Sequence, residues 1–83
     1  MQAIDIERLI AENIPGAAVT VSGDDGRHFE ALVVADAFEG MSRVQQHRLV
    51  YQALGGRVES EQIHALALKT YTPEGWARAR DQQ

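Results

Sequence analysis

The stretch Ile63-His64-Ala65-Leu66-Ala67-Leu68-Lys69-Thr70-Tyr71-Thr72-Pro73 decides how this chain folds. Ile63 to Lys69 is almost wholly apolar, the composition of a strand covered on both faces. Thr72 and Pro73 then open a helix. A threonine hydroxyl caps the first free N–H groups, and proline at the first helical position forfeits no hydrogen bond. His64 is the polar residue at the start of this run, where an imidazole can serve either the core or a partner.

Working backward, Arg57 to Gln62 reads as a polar loop, and before it lies a helix opened by Ser42. Ser42 with Gln45 three positions on makes a capping box. Val44, His47, Tyr51 and Leu54 recur on one face of that helix with Val50 beside them, and Gly55-Gly56 stops it. Arg43 stands in its first turn, where the helix dipole disfavours a cation, and this misplacement is a weak pointer to a partner-binding role. His47 falls in the apolar stripe and reads most simply as a boundary histidine.

Further upstream, Val19-Thr20-Val21-Ser22 alternates apolar and polar, the period of a half-buried strand. Asp25-Gly26 is a strong hairpin turn pair, and His28 to Ala35 is the returning strand, polar at its start and apolar at its end. Ile6, Leu9, Ile10 and Ile14 mark an amphipathic helix over residues 4–13, halted by Pro15 and Gly16. Beyond Pro73 a last helix runs to about Arg80, with Tyr71 and Trp76 expected to anchor it to the sheet.

Composition limits what such a chain does. The 83 residues are 45% hydrophobic, which suffices for one modest core and one domain spanning residues 1–83. There is no cysteine, which suits a reducing cytosol, so a cytoplasmic location is expected. No apolar run reaches membrane-spanning length, and no membrane association is expected. The formal net charge of -4 argues mildly against general nucleic-acid binding. The Gly23-x-x-Gly26 spacing matches a backbone-clamping loop in outline only, because Asp24 and Asp25 would repel phosphate.

The element order helix, strand, strand, helix, strand, helix predicts an α+β domain with a three-stranded mixed sheet and helices on both faces. The first two strands form a hairpin, and the helix between the second and third allows a right-handed parallel crossover. Parallel neighbours start at the same end of a sheet, roughly 4.8 Å apart. His28 and His64 would then meet at one rim. Two imidazoles make half a metal site, and a chain without thiolates needs a partner to complete it. Spacing alone favours reading them as unpaired surface or boundary histidines.

Phe38-x-Gly40-x-Ser42-x-Val44-x-x-His47-Arg48-x-Val50-Tyr51, together with Ile63 to Pro73 and Trp76, resembles the BolA family. With Ser22 to Phe29 included, the chain is most similar to the short bacterial IbaG branch. The resemblance runs from about Val19 to Trp76 and implies a fold like that of class II KH domains without the working GxxG loop. It also implies a partner, a monothiol glutaredoxin of the CGFS type. With glutathione, that partner shares a bridging [2Fe–2S] cluster, and none is expected in the isolated chain. The BolA side contributes the histidine matching His64 and, from the loop between the first two strands, His28. Imidazole ligation raises the potential of such a cluster and makes it protonatable, which suits cluster transfer or iron and acid-stress sensing.

Arg43 and Lys69 are further candidates for partner contact. A rival reading, a transcriptional regulator that binds nucleic acid, would rest on Arg43, Arg48 and Arg57. Catalysis is not expected, since no nucleophile–base pair, phosphate loop or carboxylate dyad is recognisable. Alone, the chain is expected to be a monomer or weak homodimer.

Overall fold

The computed structural model describes residues 1–23, 25–57, 63 and 65–82. Its elements follow the predicted order: α1 (Ala3–Asn13), β1 (Ala18–Ser22), β2 (His28–Val34), a 3-10 turn (Asp36–Phe38), α2 (Arg43–Leu54), β3 (Ala65–Tyr71) and α3 (Pro73–Asp81). The sheet order is β1-β2-β3, with β1 antiparallel and β3 parallel to β2.

The core forms because α1 and α2 bury one face of this sheet. Ile6, Ile10 and Ile14 of the first segment, Val50 and Leu54 of α2, and Phe29 and Val33 of β2 join Phe38 and Ile63 in one buried cluster. By strand alternation, Val19, Val21, Phe29, Ala31, Val33, Leu66, Leu68 and Thr70 share this covered face. Thr70 Oγ1 donates to Gln46 Oε1 of α2 at 2.7 Å, which ties the helix to β3. The other face carries Thr20, Ser22, His28, Glu30, Leu32, Ala67, Lys69 and Tyr71. There α3 meets the sheet at its end, where the Tyr71 and Trp76 rings lie 5.4 Å apart and tilted by 49°.

Three expectations are corrected. The third strand runs from Ala65 to Tyr71, two residues later at each end than Ile63 to Lys69. Ile63 is fully buried, but its N–H donates to the Arg57 carbonyl at 3.2 Å rather than to the ladder. At the other end the Tyr71 carbonyl accepts from Ala35 at 3.1 Å and keeps the ladder going up to the cap. Secondly, the apolar run of β3 is not covered on both faces, since Ala67 and Lys69 are exposed. Small alanines tolerate that exposure at little cost, so the run looks more buried in sequence than it is. Thirdly, α2 turns a different stripe inward. Val50, Ala53 and Leu54 are buried, whereas Val44 and Tyr51 are exposed.

The caps behave as their chemistry dictates. Ser42 Oγ accepts from the Gln45 N–H at 3.2 Å, and Gln45 Oε1 accepts from the Ser42 N–H at 2.8 Å. Thr72 Oγ1 accepts from Gly75 at 3.0 Å, with Pro73 in the first turn. Ser42→Ala is expected to cost about 1 kcal/mol in urea denaturation, because the N-terminal N–H groups of α2 lose their side-chain acceptor. A variant as stable as the parent protein would show that the box contributes nothing.

Candidate metal centre

The rim of the sheet is built by a short loop and the parallel register. Residues 23–27 join β1 to β2, and Asp25 accepts the bonds that shape this turn. Asp25 Oδ1 accepts from the N–H of His28 at 2.8 Å and from that of Arg27 at 2.9 Å. Oδ2 lies 2.8 Å from His28 Nδ1. The His28 backbone N–H, then its ring, then the Arg27 N–H hold the Asp25 carboxyl far below the usual carboxylate range. A depressed carboxyl contributes its stabilisation above the ordinary carboxylate pKa and loses it only as pH falls through the lower folded value. Asp25 is therefore an anion, and an anion is acceptor-only. His28 Nδ1 must carry the proton of this bond, which in the neutral ring leaves the lone pair on Nε2.

His28 opens β2 and pairs with Ala65, the first residue of β3. The Ala65 N–H donates to the Arg27 carbonyl at 3.0 Å, so the start of β3 is fastened to the loop that holds His28. His64 lies outside the described residues. Its chain neighbours are described: Ile63 is buried and Ala65 is half-buried and level with His28. His28 itself is exposed, at the head of an open groove of about 570 Å³ walled by Ser22, Glu30 and Ala67. Among the described residues no three His, Cys, Asp or Glu side chains converge on one point. A carboxylate on one ring nitrogen is the usual support of a metal-binding histidine, so the donor chemistry of His28 suits a metal. The donor set found here is incomplete without further ligands.

Of the cationic candidates, Arg43 and Lys69 are brought together in a groove of about 220 Å³ that also includes His47. Arg48 belongs to a different hollow, with Tyr51 and Gln52. Arg57 Nη1 donates to the Leu54 carbonyl at 2.8 Å and so finishes α2. The three arginines of the nucleic-acid reading do not form one stripe. Sequence reasoning missed Asp25 as the group that orients His28. Its signal was an Asx residue three positions before a histidine, in a turn.

Comparison with known proteins agrees with this architecture. A family model described as BolA-like protein matches residues 5–75. The chain belongs to the BolA family. Acid stress protein IbaG of Escherichia coli (strain K12) is 39% identical over 80 residues, covering 96% of this chain and 94% of its own. That likeness over nearly the whole chain supports the IbaG-like branch. Among solved structures, a BolA homologue from Coxiella burnetii superposes with a TM-score of 0.81 at 44% identity, covering 94% of this chain and 99% of its own. The solution structure of yeast Fra2 gives a TM-score of 0.61 at 32% identity, covering 92% and 80%. The α+β arrangement described above is thus the BolA fold, and the rim at His28 and Ala65 is a feature of a BolA-type protein.

Proposed function

We propose that this BolA-type protein is a non-enzymatic, cytoplasmic iron–sulfur adaptor. In this reading His64 and His28 present imidazole nitrogens to one iron of a bridging [2Fe–2S] cluster. A CGFS monothiol glutaredoxin and its bound glutathione supply the sulfurs that this cysteine-free chain lacks. The bound cluster would provide redox and transfer chemistry. The chain's own part would be to offer both imidazoles, that of His28 with its Nδ1 proton held by Asp25. The observation that carries the reading is the parallel register, which sets His28, its ring held by Asp25, level with Ala65 at the start of β3. The Escherichia coli relative is named an acid stress protein, and protonatable donors accord with an acid-responsive role. Nucleic-acid binding has less support, because Arg43, Arg48 and Arg57 are dispersed and the chain is acidic.

The test is anaerobic reconstitution with a CGFS glutaredoxin and glutathione, followed by absorption, circular dichroism and EPR. A cluster whose spectra change when this chain is added supports the reading, and spectra identical to those of the glutaredoxin alone refute it. Asp25→Ala gives a finer check. It removes the acceptor that orients His28, and loss of such a support typically weakens metal sites about 10–100-fold. The mixed cluster should bleach correspondingly faster under a chelator, and far-ultraviolet dichroism checks that the fold survives loss of the two backbone bonds that Asp25 accepts. Equal bleaching rates would remove Asp25 from the site.

A further inference from the structure

β3 is an edge strand of the sheet. The Ala65 N–H and the Tyr71 carbonyl both bond toward β2. In a parallel ladder alternate residues face the neighbour, so Ala67 and Lys69 also turn their backbone groups inward. Leu66, Leu68 and Thr70 therefore turn theirs outward, and no strand lies beyond them among the described residues. Such an edge is a template for another chain.

Cations flank this edge on both sides. Lys69 stands on the open face by register, while Arg43 stands on α2, which packs on the covered face, with the His47 imidazole one turn on. All three line one groove with Leu68, Thr70 and Tyr71, and no acidic side chain among the described residues lines it. Neither Arg43 nor Lys69 forms an ion pair among the described residues. In a chain with twelve acidic and eight basic residues, this is a local reversal of sign.

We infer that the outer edge of β3 receives an extended acidic segment of a partner protein as a fourth strand. Successive side chains of a strand point to opposite faces. Two consecutive acidic residues would thus place one carboxylate by Lys69 and the next by Arg43, while the segment's backbone pairs with Leu66, Leu68 and Thr70. The mode is β-strand addition, with main-chain bonds giving affinity and the flanking charges giving choice of partner. A peptide fits better than a nucleic acid here, because the groove offers a hydrogen-bonding backbone edge and few cations. The flanking cations lie toward the far end of β3 from His28, while Leu66 at the near end borders the rim groove.

The probes are a synthetic peptide of about ten residues with Glu-Glu centred in alternating Val and Thr, its Lys-Lys counterpart, and a short single-stranded oligonucleotide. Affinity is read by titration and pairing by amide hydrogen exchange on the full chain. The Glu-Glu peptide is expected to bind more tightly than the other two and to slow exchange at Leu66, Leu68 and Thr70 selectively. The double variant Arg43→Glu, Lys69→Glu, exposed at both positions, is expected to weaken that binding by about tenfold. The inference is overturned by equal binding of the Lys-Lys peptide, by unslowed exchange at the three outward amides, or by unchanged affinity in the double variant. Tighter binding of the oligonucleotide in the same groove also overturns it and assigns the groove to nucleic acid.

Discussion

His64→Ala is expected to abolish the histidine-ligated cluster in the complex with a CGFS glutaredoxin and glutathione. An iron of a [2Fe–2S] cluster needs two terminal donors beyond the bridging sulfides, and in mixed centres imidazoles take that place on one iron. This chain has no cysteine to substitute. Removing the β3-side imidazole leaves His28 alone, and one nitrogen does not hold an iron against the glutaredoxin's own all-sulfur alternative. The expected result is a return to the absorption and dichroism that the glutaredoxin and glutathione give without this chain. His28→Ala should have a smaller effect, because His28 is exposed and water or a partner group can take its place. The order of the two effects is the informative part. An unchanged mixed-ligand spectrum in His64→Ala, in a variant whose far-ultraviolet dichroism matches the parent, would remove His64 from the site and leave the rim without its second donor.

Much of this arrangement was legible in the chain. The hairpin turn, the Ser42–Gln45 box and the Thr72–Pro73 start are local signals, and each is set by a hydrogen bond within a few residues. Once they are placed, a helix between β2 and β3 leaves a parallel crossover as the simple connection, and the starts of those strands fall at one end. What was not legible depended on packing. Helical spacing admits both a Val44–Tyr51 stripe and a Val50–Leu54 stripe on α2, and only contact with Phe29 and Val33 selects the second. Likewise, the alanines of β3 satisfy a buried or an open face equally well. The role of Asp25 was hidden for a different reason. An aspartate beside a glycine is already explained by the turn, so nothing in the sequence asks for the second task its carboxylate performs on His28.

Gly23→Ala is expected to be the most damaging single change at the rim, and its mechanism differs from that of ligand removal. Gly23 and Gly26 frame the loop, yet they are glycines for different reasons. At Gly26, φ is +74° and an added Cβ meets nothing within 4 Å, so alanine there costs about 1–2 kcal/mol of backbone strain. At Gly23, φ is +153° and the added carbon would stand 2.5 Å from the His28 carbonyl oxygen and 2.7 Å from the Phe29 ring. The ring is part of the core and the carbonyl belongs to β2, so neither neighbour is a free side-chain tip. Backbone strain of about 1–3 kcal/mol adds to overpacking of about 1–3 kcal/mol. A domain of this length is stable by about 4–12 kcal/mol, so the loss is a large fraction of the whole. Relief requires β2 to draw back at its first residue, which carries the His28 ring away from the loop. Gly23→Ala should therefore lower both the denaturation midpoint and the yield of mixed cluster, whereas Gly26→Ala lowers the midpoint modestly and keeps the cluster. Equal losses in the two variants would mean that backbone freedom alone explains both glycines, and that the close approach of β1's end to His28 does not position the ring.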